Sequence, residues 1–204
     1  ILDTPAPYQF DRPAEPIRRH VERALDAITE RFIGDTGLVT YAGGDWDDTL
    51  QPAKEHMREH LVSAWTVALC YQTLQGLAQL PLEAAKKARV LAGRIVRDFP
   101  ARLIKDGVIA GFLLKNEQGD DEYLLHPRDK TTGITLRLLP MTRSIIACLS
   151  SPEQAARSIA VIDQKLLCPD GVRLMDAPAR YLGGVSHMFQ RAEQAANVGR
   201  EISL

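Results

Sequence analysis

The chain has few cysteines, few aromatic residues and no excess of charge of either sign. Its three cysteines, Cys70, Cys148 and Cys168, are odd in number and stand in apolar sequence. We therefore expect reduced, buried thiols and neither a disulfide framework nor a zinc site. The 25 basic and 26 acidic residues nearly cancel, so no broad field favours nucleic acid or an anionic membrane as a partner. A neutral partner such as a sugar fits this charge balance.

The chain also lacks any apolar run that approaches the length of a membrane span. Its first ten residues have no basic stretch followed by an apolar one, so we predict no signal peptide. From these absences we expect a cytoplasmic protein. With 204 residues, 45% of them hydrophobic, the chain can bury one sizeable core or two small ones. No repeat or internal boundary is evident, so residues 1–204 are predicted to form one unit.

Apolar residues recur every three or four positions in six stretches, as expected for helices that bury one face. The predicted helices cover 14–32, 53–79, 81–104, 140–150, 152–167 and 187–202. Val108–Lys115 and Glu122–His126 flank a polar turn, Asn116–Asp121, and predict a β-hairpin near 108–126. The fold class is therefore all-α with a small β-hairpin. Helices apolar all round alternate with amphipathic ones, which fits layered packing in either a toroid or a plain bundle.

The segment Tyr41–Pro52, YAGGDWDDTLQP, places Asp45, Asp47 and Asp48 around Trp46. Carboxylates this close raise one another's pKa, and a carboxylic acid that stays protonated near neutral pH can act as a general acid. An indole beside it offers a flat apolar face for a sugar ring. Another interpretation stays open: a solvated turn whose aspartate caps a helix that begins near Pro52. A calcium-binding EF-hand loop is excluded, since Thr49 and Leu50 follow Asp48.

Other polar residues allow both a functional and a structural interpretation. His56 and His60 stand one helical turn apart, but the sequence EHMREH favours a solvated helix face, and we predict no metal site. In LLHPRDKTTG, the residues His126, Arg128 and Asp129 either contact a ligand or form a polar turn with a local salt bridge. Arg137 and Arg143 either bind a phosphate or support a helix end, and we favour the structural role.

The C-terminal segment Gly183–Leu204, GGVSHMFQRAEQAANVGREISL, places Arg200 and Glu201 on the last predicted helix. Pairs of opposite charges on a helix surface stabilise it by a few tenths of a kcal/mol each. The apolar residues between them leave little outward surface, so some of these charges are expected to face a shared cavity. Buried charges must be paired or functional.

Three segments carry a resemblance to a known family. They are GGDWDDTLQPA, LLHPRDKTTGITLRLLPMTRSII and PDGVRLMDAPARYLGGVSHMFQRAEQAANVGREI. Together they resemble the inverting glycoside phosphorylases of glycoside hydrolase family 94, which include cellobiose phosphorylase, and in particular its 1,2-β-oligoglucan phosphorylase branch. The resemblance covers roughly Pro7 to Leu204. It implies that residues 1–204 are part of a catalytic (α/α)6 barrel, a six-hairpin toroid.

The resemblance also implies roles for individual residues. Asp48 matches the general acid of the family, and Trp46 matches its sugar-contacting tryptophan, with Asp45 in the same motif. Arg200 and Glu201 match a segment that lines the sugar site. Ser203 stands where the family has glycine, and the phosphate-binding histidine is expected beyond Leu204. We therefore expect the 204-residue chain to be inactive by itself.

The implied reaction is phosphorolysis of β-1,2-linked glucooligosaccharides to α-glucose 1-phosphate. Inorganic phosphate is the co-substrate, and no cofactor is required. Two related enzymes are alternatives: an inverting glycosidase, and the phosphorylase-like part of a cyclic β-1,2-glucan synthase. A catalytically silent helical module that binds sugar or a partner chain is an alternative of another class.

If these residues form an incomplete toroid, we expect the hairpin to project from one rim and the 43–50 loop to lie at the mouth. We also expect an exposed apolar flank to allow self-association.

Overall fold

Helices make up most of the regular structure. The computed structural model describes residues 1–6, 13–42, 51–52, 55–116, 118–177, 189–190 and 202–203, and this part of the chain contains six α-helices. They are α1 (Ile17–Glu30), α2 (Glu55–His60), α3 (Ala64–Leu77), α4 (Ala84–Asp98), α5 (Leu138–Ile146) and α6 (Pro152–Val161). Helices α4 and α6 each continue into a single π-helical segment, Phe99–Leu103 and Ile162–Leu166. The prediction of a mostly helical chain is confirmed.

The strands are short, and every pairing among the described strands is antiparallel. They are β1 (Pro5–Ala6), β2 (Glu15–Pro16), β3 (Gln51–Pro52), β4 (Leu61–Ser63), β5 (Ile104–Lys105), β6 (Val108–Ile109), β7 (Phe112–Lys115), β8 (Asp121–Leu124), β9 (Leu167–Cys168), β10 (Gly171–Arg173), β11 (Phe189–Gln190) and β12 (Ile202–Ser203). They form three two-stranded and two three-stranded sheets.

The predicted hairpin near 108–126 is confirmed, but it does not project from the surface. Strand β7 pairs with β8 on one edge and with β4 on the other, so that Ser63 lies opposite Phe112. Successive side chains alternate between the two faces of a strand. On one face Phe112 and Leu114 pack in one apolar cluster, and on the other face Leu113 packs in a second cluster. The sheet therefore lies between two parts of the core.

The single helix predicted over 53–79 is wrong, because β4 divides it into α2 and α3. Leu61 and Val62 are apolar residues inside a helical pattern, and nothing in that pattern reveals the neighbouring strand β7. Ser63 marks the boundary: its Oγ accepts a hydrogen bond from the backbone N–H of Thr66 at 3.4 Å and caps α3. Serine at such a position is typical of a helix start.

The helix predicted over 187–202 is also wrong where the structure describes it. Phe189–Gln190 and Ile202–Ser203 are extended, in β11 and β12, and each is paired with a distant strand. Residues 191–201 lie outside the described part. The pattern of apolar residues is similar for a short amphipathic helix and for strands separated by a turn, so periodicity alone favoured the wrong element.

Helix α3 is the central helix of the described part, packed between α4 and α5, with α1 outside α4 and α6 outside α5. Its sequence AWTVALCYQTLQGL is apolar on nearly all sides, as layered packing requires. Leu25 of α1 and Ile95 of α4 belong to the same cluster as Val67 and Leu74 of α3. Within the described residues these helices form layers, and no closed ring is seen.

The cysteines differ from the expectation. All three are free, as expected, but Cys148 is exposed, and Cys70 and Cys168 are half-buried. Cys148 follows α5 with a φ of 54°, so the chain turns there and directs this residue to solvent. Burial raises the pKa of the Cys70 thiol to about 12, so this cysteine behaves as an apolar residue.

Several large apolar side chains are exposed at the surface. In the described residues they are Ile1, Val90 and Val96 of α4, Ile146 of α5, Ile159 of α6, and Leu167. Self-association through such a surface stays a prediction. None of the helices within the described ranges is long and apolar enough to cross a membrane.

A buried carboxylate attaches the loop after α1 to the end of α4. Asp98 Oδ2 accepts a hydrogen bond from the Gly37 N–H at 2.6 Å, and Arg97 donates to both carboxylate oxygens. Gly37 comes so close that a Cβ there would lie 2.2 Å from the Arg94 carbonyl oxygen. The hydrogen bond from Arg97, with the smaller effect of the Gly37 N–H, lowers the pKa of Asp98 from 3.8 to about 2.

We predict that Asp98→Ala lowers the free energy of unfolding by about 1–3 kcal/mol, because it leaves the Gly37 N–H buried without its acceptor. Since the pKa of Asp98 is depressed on folding, its contribution is complete above the unfolded value near 3.8. It is lost as the pH falls from about 4 towards 2. Urea unfolding monitored by circular dichroism across this pH range measures both effects.

Asp35→Ala is the matched control, because the Asp35 side chain is fully exposed and lies 3.7 Å from Arg94. Exposed ion pairs contribute about 0–1 kcal/mol. Equal stability of the two variants at neutral pH, or a difference that persists unchanged at pH 2, would contradict the role given to Asp98.

Candidate functional site

The five residues that the sequence nominates lie outside the described part of the chain. Asp45, Trp46 and Asp48 belong to residues 43–50, and Arg200 and Glu201 to residues 191–201. Their roles therefore stay predictions. The residues that flank both segments are described, however, and they fix how the two segments are attached to the rest of the molecule.

The segment that carries Asp45–Asp48 is attached at its N-terminal end to β4 and α2. The Tyr41 N–H donates to the Leu61 carbonyl at 2.7 Å, and the Ala42 N–H donates to the Arg58 carbonyl at 2.9 Å. Ala42 has a φ of 54°, a left-handed conformation that is uncommon for a residue with a side chain. The chain thus turns sharply away from β4 just before Gly43.

Tyr41 is buried and anchors this turn in the core. Its ring meets that of Phe112 edge to face, with 5.2 Å between centroids and an interplanar angle of 84°. Such aromatic pairs contribute about 0.5–1.5 kcal/mol beyond their buried area. The same apolar cluster contains Met57 of α2 and Leu61 of β4.

The other end of the segment is attached to the C-terminal part of the chain. Strand β3 pairs with β11, so that Pro52 lies opposite Phe189 and Gln51 opposite Gln190. Gln51 is the third residue after Asp48. The pairing therefore joins the aspartate-rich segment to the segment that leads towards Arg200 and Glu201.

A second pairing attaches the far end of that C-terminal segment. Strand β12 pairs with β10, so that Ile202 lies opposite Arg173 and Ser203 opposite Val172. Glu201 precedes Ile202 directly. On its other edge β10 pairs with β9, which follows the π-helical turn at the end of α6.

The chain after β10 is in turn held at the start of α5. The Leu138 N–H donates to the Leu174 carbonyl at 2.8 Å, and Arg137 and Met175 form an isolated antiparallel bridge. Asp176 Oδ1 accepts hydrogen bonds from the Thr135 and Leu136 N–H groups, both at 2.9 Å. Its Oδ2 accepts from the Thr135 hydroxyl at 2.5 Å. The 174–176 stretch is therefore attached along its length.

Arg137 is the largest fully buried side chain of the described part, with 1% of its surface exposed. Its Nη1 donates to Ser63 Oγ at 3.3 Å, and its Cζ lies 4.6 Å from the centroid of the Phe112 ring. Ser63 and Phe112 are opposite residues of β4 and β7. The sequence analysis favoured a structural role for Arg137, and these contacts agree with it.

Arg143 has a different environment. Its Nη1 donates to Gln72 Oε1 at 3.0 Å, and its Cζ lies 5.8 Å from the centroid of the Trp65 ring. Both partners belong to α3, so this arginine connects α5 to α3. These contacts also fit the structural interpretation of Arg143.

The LLHPRDKTTG segment forms a polar turn. Buried His126 uses both ring nitrogens: Nδ1 accepts from the Arg128 N–H, so Nε2 carries the proton and donates to the Lys105 carbonyl, each at 3.0 Å. Asp129 accepts from the backbone N–H groups of Leu125, Thr131 and Thr132. These hydrogen bonds support the structural alternative.

The salt bridge of this turn is made to the neighbouring hairpin. Arg128 Nε donates to Asp106 Oδ2 at 2.7 Å, and the hydrogen bond lowers the pKa of the Asp106 carboxyl. Both side chains are more than half exposed. In the described residues, no group of three or more histidine, cysteine or acidic side chains is arranged to hold a metal ion.

Sequence reasoning missed Asp176 and the buried contacts of Arg137. A signal for Arg137 was available, because a single arginine between Leu136 and Leu138 interrupts an apolar run that packs in the core. Asp176 had no such signal, since an aspartate near prolines is common in any turn.

Comparison with known proteins identifies a similar protein. No family model matches the chain. The chain is 46% identical over 196 residues, 96% of its length, to a 1,2-beta-oligoglucan phosphorylase from Listeria innocua serovar 6a. It spans 18% of the length of that relative. The similarity confirms the resemblance that the three sequence segments indicate.

We predict that Asp176→Ala lowers the free energy of unfolding by about 2–3 kcal/mol, because three hydrogen bonds lose their acceptor. Amide hydrogen exchange of Thr135 and Leu136 should accelerate at the same time, since their N–H groups lose the hydrogen bonds to Asp176 that slow the exchange. Asp170→Ala, in the exposed turn between β9 and β10, is the control and should change neither. Unchanged exchange at Thr135 in Asp176→Ala would contradict this prediction.

Proposed function

We propose that this chain is a segment of the catalytic domain of an inverting β-glucoside phosphorylase. The enzyme would act on β-1,2-linked glucooligosaccharides with inorganic phosphate and release α-glucose 1-phosphate. The observation that carries the proposal is the 46% identity to a 1,2-beta-oligoglucan phosphorylase over 96% of the chain. Since the chain spans 18% of that relative, the remaining parts of the site would come from elsewhere in a longer polypeptide.

In this proposal Asp48 is the general acid. It donates a proton to the glycosidic oxygen while a phosphate oxygen attacks the anomeric carbon from the opposite face. The C1–O bond to the leaving sugar breaks, the new C1–O bond to phosphate forms, and the configuration at C1 is inverted. Phosphate is already an anionic nucleophile, so no second carboxylate is needed as a base, unlike in an inverting hydrolase.

Trp46 supplies the platform on which the sugar ring stacks, and Asp45 shapes the same segment. Arg200 and Glu201 bind the sugar from the C-terminal segment. The described neighbours of these residues support the attachment of the two segments to each other. Strands β3 and β11 attach one end of each segment to the other, and β12 attaches the residue after Glu201 to β10. Two segments far apart in sequence are thereby held in one region.

We further propose that the helical layers are part of an (α/α)6 barrel. Helix α3, apolar on nearly all sides and covered by α4 and α5, is suited to an inner layer, whereas the amphipathic α1 is suited to an outer one. Exposed Val90, Ile146 and Ile159 are suited to contacts with the rest of the barrel or with a second copy.

We predict that Asp48→Asn, made in the complete polypeptide that carries this sequence, lowers phosphorolysis of a β-1,2-glucooligosaccharide by about 10²–10⁴-fold. The substitution removes the proton donor and keeps the side-chain shape. Glucose 1-phosphate and free glucose are assayed in parallel with and without phosphate. Phosphate-dependent glucose 1-phosphate supports a phosphorylase, whereas free glucose without phosphate would indicate a glycosidase.

Asp120→Asn, in the exposed turn between β7 and β8, is the control and should retain full activity. Near-wild-type turnover by Asp48→Asn would overturn the assignment of the acid. Absence of both products from the wild-type polypeptide would favour a silent binding module, which isothermal titration with the oligosaccharide then tests.

A further inference from the structure

Arg137 is a charged side chain in a place that ordinarily holds an apolar one. It is buried together with Ser63 and Phe112, and Phe112 belongs to an apolar cluster. The penalty for burying an ion is several kcal/mol, and apolar replacements of buried charges are often neutral or stabilising. The burial of an arginine therefore does not by itself indicate that the residue stabilises the fold. The contacts of Arg137 indicate a different role.

The local structure is shaped to receive this side chain. Its guanidinium contacts both members of one cross-strand pair, Ser63 of β4 and Phe112 of β7. Gly111 precedes Phe112, and a Cβ at this position would lie 3.3 Å from Arg137 Cδ and 2.6 Å from Leu125 Cβ. The contact with Leu125 is the shorter one and excludes a side chain here, and the same glycine also leaves room for the arginine stem.

The side chain of Arg137 reaches the support of the acid-bearing segment. Phe112, which contacts the guanidinium, also meets the ring of Tyr41 edge to face. Tyr41 is bonded through its N–H to Leu61 of β4, the strand that ends in Ser63. Arg137 thus contacts strand β4 and the Phe112 ring. These two hold Tyr41, which lies two residues before Gly43.

The backbone of Arg137 reaches the support of the other segment. It bridges to Met175, and the next residue, Leu138, bonds to Leu174. Directly before Leu174, strand β10 pairs with β12, which follows Glu201. One residue therefore contacts, by side chain and by backbone, the supports of both segments in which the proposed site residues lie.

We infer that Arg137 is a positioning residue of the site: it holds the stem of the 43–50 segment in register with the 171–175 stretch, so that the acid meets the bound sugar. The inference rests on the proposed function, in which Asp48 is the acid and Glu201 binds the sugar. Arg137 itself contacts no substrate in this inference. Its role is exerted through Phe112, Tyr41 and the β4–β7 pair.

The test is made in the complete polypeptide with Arg137→Met, which keeps the length of the side chain and removes the planar charge. A displacement of about 1 Å at a reacting group costs about 10²-fold in rate. We therefore expect kcat for the oligosaccharide, per folded molecule, to fall by about 10²-fold, with the KM for the oligosaccharide little changed. Loss of folded protein alone would lower kcat only in proportion to the folded fraction measured by circular dichroism.

A second substrate separates positioning of the acid from general damage. The leaving group of 2,4-dinitrophenyl β-glucoside departs as a stable anion and needs no proton, so its phosphorolysis does not depend on the acid. Arg137→Met should therefore retain most of the wild-type rate on this glucoside, as should Asp48→Asn. The ratio of the two rates, measured on one preparation, is independent of the folded fraction. If the wild type does not accept the glucoside, the kcat and KM result decides.

Arg128→Met is the matched control, because the Arg128 guanidinium is exposed and pairs with Asp106. This variant should keep the wild-type kcat.

If Arg137→Met is not recovered folded, Ser63→Ala replaces it, because this substitution removes the acceptor of Arg137 Nη1. It should lower kcat by about tenfold, equivalent to about 1.4 kcal/mol. If the wild type is active and the folded variant keeps the wild-type kcat, the inference is overturned and the proposed function stands. An inactive wild type would overturn the proposed function, and the inference with it.

Discussion

A strand with apolar clusters on both faces has no access to water, so its backbone N–H and C=O groups must be paired along both edges. Strand β7 is in this position, with one cluster on each face. Its two partners, β8 and β4, are therefore required by the burial of Phe112–Leu114. The position of β4 in turn determines where α2 ends, where α3 begins, and where Tyr41 and Ala42 are bonded. The stem of the aspartate-rich segment thus depends on this buried strand.

In the part of the chain that the structure describes, Asp98 and Arg137 are buried charged residues, and they differ in what they hold. Asp98 lies at the end of α4, and Arg97 beside it compensates its charge. Its contact with Gly37 fixes one surface loop. Arg137 lies much deeper, contacts a ring and a hydroxyl, and lies between two strands and the start of α5. Asp98 contacts one loop, whereas Arg137 contacts several elements, β4, β7 and the 174–175 stretch.

The helices could be predicted because their periodicity is local: α1, α4 and α6 lie within the predicted stretches, and α5 begins at Leu138, shortly before the predicted stretch 140–150. The β7–β8 hairpin could be predicted because a polar turn separates two apolar runs. Strand β4 could not, since three residues inside a helical pattern become a strand only when β7 lies beside them. The same reason explains β11 and β12, whose partners lie far away in the chain.

The candidate site could be named from the sequence only through residues whose chemistry is distinctive, Asp48 and Trp46, and through the resemblance that carries Glu201. How these residues are attached could not be predicted. It depends on Asp176, whose three hydrogen bonds reach Thr135 and Leu136, and on Gly111, which has no Cβ where Leu125 and the Arg137 side chain pass close to it. Neither residue has a side chain that suggests such a role by itself.

The pairing of β3 with β11 spans more than half of the chain. Contacts between residues so distant in sequence form slowly, because a long loop must be closed before they contribute any free energy. During synthesis, Tyr41 can meet β4 as soon as Leu61–Ser63 has emerged from the ribosome, whereas Gln51–Pro52 must wait until Phe189–Gln190 has emerged. We therefore expect the two ends of the aspartate-rich segment to be fastened at different times, with the second end among the last contacts to form.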